Sequence, residues 1–234
     1  MEALKLGGGA RGSTGTAGAE KAPYLVVDGF LDSPQLMIDS LTDSQKFSAD
    51  ATYYPGIRQR ASREYSRFLV GALQKKLLSH FDVDISRIRS VESYFSIITR
   101  EPDKLDFMQV IPHFDFPLKR GLASILYLCD SSKGGTSLYR HKRTGFERID
   151  QERFSLYKDT LEKEFNSSSE ALDGYINETN NFFEKIHSFD AKFNRLVMYR
   201  GSSLHSGDIS ADYDFDPSPR TGRLTLTSFI HVNE

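Results

Sequence analysis

The chain has 234 residues, 38% of them hydrophobic and 12% aromatic, which is enough apolar material for one sizeable core. Its 30 basic and 32 acidic residues leave a formal net charge of -2, so nothing in the charge balance points to nucleic acid or an anionic membrane; a small molecule or another protein is the expected partner. Cys129 is the only cysteine, which rules out an internal disulfide framework or a cysteine-based zinc site and suits a reducing compartment. No apolar run is long enough to span a bilayer and the first residues lack a signal-peptide core, so a cytoplasmic location is expected.

Residues 1–22 are rich in Gly, Ala, Ser and Thr with no repeating apolar face, which predicts a flexible tail ahead of a single domain over residues 23–234. YLVVDGF then reads as a strand, and Ser33-Pro34 as a helix start with Ser at the cap and Pro in the first turn. In SREYSRFLVGALQKKLLSHF, Tyr65, Phe68, Leu69, Ala72, Leu73 and Leu77 recur at three and four, the spacing of a helix with one apolar face. Beyond it the period shortens. SVESYFSII, LASILYL, TSLYR, NRLVMYR and GRLTLTSFIHV are β-branched and aromatic segments between turn-forming loops. Residues 150–190 interrupt them with polar, helix-prone sequence, expected to be a helical insertion. Helices first and many strands afterwards predict an α+β fold whose strands make a sandwich or jelly roll.

IPHFDFPLKR places His113 two residues before Asp115 at the end of an apolar segment. On a strand such residues point to one side, so an imidazole and a carboxylate can meet one ion. Of the other histidines His205 is the best third ligand, because NRLVMYRGSSLHSG shows a strand, a Gly-Ser-Ser turn and then the histidine. Two histidines and a carboxylate on one face form the arrangement that non-haem Fe(II) oxygenases use. Arg223, Thr225 and Thr227 share a face of the last strand, where Arg223 and Thr225 can hold a carboxylate by a charge-assisted pair and a hydroxyl.

With LASILYL, GGTSLYR and the order of these pieces, the sequence from about residue 90 to 232 resembles the 2-oxoglutarate and Fe(II)-dependent dioxygenase superfamily, nearest its prolyl-4-hydroxylase-like branch. The resemblance implies a double-stranded β-helix with supporting N-terminal helices. It implies Fe(II) on His113, Asp115 and His205, 2-oxoglutarate with its far carboxylate on Arg223, and Tyr127 as a further hydrogen-bonding partner of that co-substrate. The reaction implied is hydroxylation of an amino-acid, peptidyl or small-metabolite substrate with release of succinate and CO2. The long stretch from Asp115 to His205 departs from the pattern and leaves the substrate open.

Each residue also has a plainer reading. His113 and Asp115 can be a strand-end pair satisfied locally, Arg223 a surface ion pair with Arg220 the competing anchor, and Tyr127 a core residue with its hydroxyl on backbone. His80, His141, His187 and His231 are expected to be structural or exposed. Tyr53-Tyr54-Pro55-Gly56 with Arg58 and Arg60 can line a pocket or pack as a turn. Two other functions use the same scaffold: a non-catalytic ligand-binding jelly roll, and a cupin-like metal-dependent hydrolase or isomerase that has no need of Arg223.

Overall fold

The computed structural model describes residues 4–41, 46–49, 53–167, 172, 174–210 and 212–233; the start of the expected tail and part of the expected insertion, residues 168–171 and 173, lie outside them. The chain opens with β1 (Arg11–Ala17) and β2 (Ala22–Asp28), and α1 (Pro34–Asp39) follows, starting at the expected Ser33-Pro34. After β3 (Ser48–Ala49) and β4 (Gly56–Arg60) comes α2 (Arg63–Phe81), whose first turn is fixed by Ser62 Oγ accepting the Tyr65 amide at 3.3 Å. Then come β5 (Ile88–Ile98), the one-turn α3 (Phe107–Val110), β6 (Leu122–Tyr127), β7 (Thr136–His141) and α4 (Phe154–Ser167). β8 (Phe183–Phe189), β9 (Arg195–Arg200), β10 (His205–Gly207) and β11 (Leu224–Val232) complete the chain.

The strands make two antiparallel sheets, one ordered β1-β2-β9-β6-β11-β5-β4-β3 and a smaller one ordered β10-β7-β8. Period-two alternation gives the large sheet two different faces. One carries Leu25, Phe95, Ile97, Leu126, Leu196, Leu224 and Leu226, packed on Leu69, Leu73, Leu77 and Phe81 of α2 in the main core. The other turns Ala123, Tyr127, Val197 and Tyr199 toward Leu138 and Phe189 of the small sheet, forming a second apolar layer. Beside that layer, Tyr157 and Leu161 of α4 are buried with Tyr139, Ile149, Phe183 and Leu204. Ala123 and Tyr199 of the large sheet and Tyr157 and Leu161 of α4 also line a cavity.

Residues 1–22 do not form the expected tail over their described part. β1 pairs with β2 from Arg11 opposite Asp28 to Ala17 opposite Ala22, and Leu6 bridges Leu31. An apolar face is not needed to hold such a ribbon, because backbone hydrogen bonds and one buried carboxylate do it. Glu147, 2% exposed, accepts the amides of Ala19 and Glu20 at 2.9 Å each at the β1–β2 turn, and Arg140 donates to it through Nε at 2.9 Å and Nη2 at 2.6 Å. Gly18 turns there with φ +68°, and a Cβ on it would run into the Glu147 carboxylate.

Among the described residues, the helical insertion expected over residues 150–190 is helical in α4 alone. Its FFEKI end is β8, paired with β7 from His141 opposite Phe183 to Thr136 opposite Phe189. The Asn180 side chain starts that strand by accepting the amides of Phe182 at 2.9 Å and Phe183 at 2.8 Å, so turn chemistry and pairing override helix propensity. α4 is anchored rather than laid on: His141, fully buried, meets Glu164 at 2.6 Å.

Glu147→Ala leaves two amides and the Arg140 charge without their buried acceptor, so it is expected to cost about 3 kcal/mol. Urea unfolding checks the magnitude, and amide exchange should accelerate first in β1 and β2. An unchanged midpoint with unchanged exchange there would show that the ribbon does not depend on this carboxylate.

Candidate functional site

His205 opens β10, and the backbone opposite it belongs to His113. The two residues exchange both bonds of an antiparallel bridge, His113 N–H to His205 O at 2.9 Å and His205 N–H to His113 O at 2.8 Å. Directly opposed residues project to the same side, and the ring centroids are 4.3 Å apart. Asp115, two residues on, is held by its amide donating to Gly201 O at 2.8 Å, so its carboxylate joins the imidazoles. Ligand atoms of His113, Asp115 and His205 all lie within 4.8 Å of one another.

The local bonding orients these groups for a cation. His205 Nδ1 lies 2.9 Å from the carbonyl of Ser203, which can only accept, so the neutral ring carries its proton there and presents the Nε2 lone pair toward Asp115, 3.8 Å away. Asp115 Oδ2 is buried and has no hydrogen-bond partner among the described residues. Burial pushes the Asp115 carboxyl above its ordinary pKa of 3.8, while His205 when protonated, Arg58, and His231 when protonated pull the other way. His113 keeps accessible surface where it lines the cavity, yet desolvation drives its pKa well below 6.5, with His205 and Arg58 adding to the effect. Two imidazole nitrogens and an unpartnered carboxylate oxygen are a donor set that fits a divalent transition metal such as Fe(II).

The three residues line a cavity of about 570 Å³, whose walls also include Arg58, Tyr94, Phe229 and Arg223. Arg223, 4% exposed, is fixed by donating through Nη2 to Gly135 O at 2.7 Å and through Nε to Gly134 O at 3.3 Å. Thr225, buried beside it on the same strand face, lines the cavity as well. Tyr127 stands differently: it is absent from the cavity wall, donates its hydroxyl to Thr136 at 2.8 Å, and sets its ring 5.9 Å from the Arg223 guanidinium. Thr136 is the residue that reaches the cavity. Arg220 points elsewhere, paired with Asp39 at 2.9 Å on the surface.

Three of the remaining histidines are packed away from the cavity: His80 Nε2 lies 3.0 Å from Tyr24 O, His141 meets Glu164, and His187 stacks on the Tyr24 ring. His231 is the correction, since it lines the cavity against Phe116. Arg58 and Tyr54, weighed above as pocket or turn, both line it too. The overlooked wall residues Glu92 and Tyr94 follow from the alternation in SVESYFSII, once its register against β11 sets Glu92 opposite Phe229 and Tyr94 opposite Thr227.

An unpaired buried carboxylate is a cost that a cation removes. Asp115→Asn is therefore expected to raise the thermal midpoint of the metal-free protein, by about 2–4 °C for each kcal/mol relieved, and to abolish the rise expected of the wild type when Fe(II) is added. For His113 the sign is opposite. With its folded pKa depressed, the unfolded chain takes up the proton first, so the metal-free wild type loses stability as pH falls through about 6.5. Replacing His113 with Asn should flatten that slope in urea titrations at pH 8 and pH 5.5.

No curated protein matches the chain. Among solved structures, a prolyl-4-hydroxylase from Pseudomonas putida is 11% identical with a TM-score of 0.43, over 97% of this chain and 94% of that one. An N-substituted L-amino acid dioxygenase from Burkholderia ambifaria AMMD is 13% identical with a TM-score of 0.37, over 90% and 83%. Both scores are too low to transfer an architecture or an activity, and the site stands on the geometry above. In sequence, residues 10–230 match the family described as "Family of unknown function (DUF6445)", and across nearly its whole length the chain belongs to that family.

Proposed function

We propose that the protein is an Fe(II)- and 2-oxoglutarate-dependent oxygenase, a hydroxylase, whose two sheets are the two faces of a double-stranded β-helix. The observation that carries this reading is Asp115 Oδ2, buried with no hydrogen-bond partner among the described residues, in a cluster where the ligand atoms of His113, Asp115 and His205 lie within 4.8 Å. His113, Asp115 and His205 would hold the iron. Bound there with 2-oxoglutarate and O2, it would supply the conversion of a C–H bond to C–OH, one oxygen atom entering the product and the other the succinate formed as CO2 leaves.

The chain's own residues bind and orient. Of the five N–H donors of Arg223, two are spent on Gly134 and Gly135, which locks the side chain and leaves the others for the far carboxylate of 2-oxoglutarate. Thr225 adds a hydroxyl on the same face. Tyr127 is a positioning residue in this reading, acting through Thr136 and beneath Arg223, in place of the direct contact expected of it. Tyr199, in edge contact with the His205 ring at 5.0 Å, helps hold that ligand's orientation. The aromatic wall excludes water, and the substrate is an amino acid, a peptidyl side chain or a small metabolite. That molecule, rather than nucleic acid or a membrane, is the proposed partner; among the described residues no helix is long and apolar enough to cross a membrane.

Succinate release from 2-oxoglutarate, requiring Fe(II) and O2 and lost in both His113→Ala and His205→Ala, tests the reading; turnover that ignores 2-oxoglutarate would favour the hydrolase class instead. Arg223→Ala is expected to weaken 2-oxoglutarate binding by about tenfold or more with iron affinity little changed. Arg220→Ala, on the surface pair with Asp39, should do neither. Anaerobic titration followed by the visible charge-transfer band of the chelate measures both, and equal affinity in wild type and Arg223→Ala would remove the anchor.

A further inference from the structure

Gln109, 9% exposed, lines the cavity four residues ahead of His113, so the backbones of the two are no more than about 14 Å apart. Its side chain is fixed by bonds that all end on one atom. Oε1 accepts the Asp106 amide at 2.9 Å and Arg100 Nη1 at 2.9 Å, while the Gln109 backbone N–H donates to Asp106 O at 2.7 Å. Both partners of Oε1 can only donate, so the two ends of the side-chain amide cannot be exchanged and Nε2 points the other way. Nε2 makes no hydrogen bond among the described residues and, unlike Asp115 Oδ2, is not sealed from solvent, so its two N–H groups reach the cavity that Gln109 lines.

Arg100 strengthens that donor. Its guanidinium pairs with Asp106 at 2.8 Å as well, which holds its charge behind Oε1, where it polarises the amide and makes the N–H groups better donors. The wall beside them is apolar: Ile111 and Phe114, on either side of His113 in the chain, pack with Tyr157 and Leu161 of α4 in one cluster. Two donors in such a wall select by penalty, since a molecule that displaces water from Nε2 without supplying an acceptor leaves it unpaired. The donor carries no charge and the cation behind it is engaged by Asp106, so the acceptor that suits it is uncharged too.

We infer that Gln109 sets specificity by donating to a carbonyl oxygen of the substrate, so that the molecule oxidised carries an amide or another uncharged carbonyl group on an apolar body. The inference rests on the oxygenase reading for the word substrate; the carbonyl position itself does not require it.

The probes are N,N-dimethyl-3-phenylpropanamide, which accepts a hydrogen bond but cannot donate one, and its thioamide, close in shape with a sulfur that accepts weakly. Each is titrated calorimetrically into the full chain loaded anaerobically with Fe(II) and saturating 2-oxoglutarate, and into the metal-free chain. The wild type is expected to bind the amide about fivefold or more tightly than the thioamide. Gln109→Glu keeps an oxygen for Asp106 and Arg100 and so keeps the turn, but it replaces the donors with an acceptor; it should retain the thermal midpoint and lose the preference, which a merely structural role would leave in place. In the metal-free wild type the side-chain N–H signals of Gln109, assigned by their absence from Gln109→Glu, should move downfield with the amide and stay in place with the thioamide. Acetyl-Gly-Phe-Gly-amide separates the sources of the carbonyl: binding tighter than that of the tertiary amide, with the same dependence on Gln109, assigns it to a peptide, and weaker binding assigns it to a free small molecule, and both support the inference. The comparison of amide with thioamide in the wild type is independent of how any variant folds. Equal affinity for the two, a preference that survives Gln109→Glu, no amide binding at millimolar concentration, or tighter binding of 3-phenylpropanoate than of the amide would each overturn the inference, and in a protein that binds 2-oxoglutarate would overturn it alone. Amide binding that needs Gln109 in a protein that does not bind 2-oxoglutarate would sink the oxygenase reading and leave the carbonyl anchor standing.

Discussion

Two reciprocal backbone hydrogen bonds between His113 and His205 are the constraint on which the rest of the site depends. They join a loop after α3 to the first residue of a three-residue strand, and neither segment would have a fixed geometry alone. Once paired, the direction of both imidazoles follows from the alternation of a β ladder, and Asp115 is carried into place by its amide on Gly201. Side chains held by backbone pairing need little further ordering when a ligand arrives, which is the physical meaning of preorganisation. The same pairing seals the backbone polar groups of a segment that would otherwise be a buried loop.

The cavity wall repeats this logic on a larger scale. Arg223, just ahead of β11, and Thr225, Thr227, Phe229 and His231 on it follow one face at intervals of two, while Leu224, Leu226 and Ile230 serve the core with α2 from the other. One strand thus carries the polar lining and the hydrophobic support together, so the position of the guanidinium is tied to the packing behind it. The cost is local: Asp115 is kept in a place that disfavours its charge. Such a cost persists where the surrounding fold over-determines the residue.

How much of this was legible in the sequence depended on whether the signal was local. α2 was readable because its apolar spacing and its Ser62 cap lie within one segment, and β5, β6, β7, β9 and β11 because their alternation does. His113, Asp115 and His205 could be singled out by spacing and turn context, and they do come together. What failed depended on distant partners. β1 has no apolar stripe and is recruited by pairing with β2 and by Glu147, more than a hundred positions later. β8 was hidden by helix-prone composition that its pairing with β7 overrides. His231 read as structural or exposed, and Arg58 as pocket or turn, until the register of the sheet showed which way their strands face.

The order of pairing in the large sheet has a kinetic consequence. β2 is hydrogen-bonded along its length to β9, Leu25 opposite Met198, and β5 to the last strand, Ile97 opposite Leu224. Most of the central sheet is therefore closed by contacts between the two ends of the chain, and chains with such distant contacts fold slowly because the entropy of closing long loops is lost before the contacts form. As the chain is synthesised, β2 and β5 emerge long before β9 and β11, and they must wait with open edges. The two histidines come into register late in the same process, so a metal ion has no assembled site to enter until the C-terminal strands have docked.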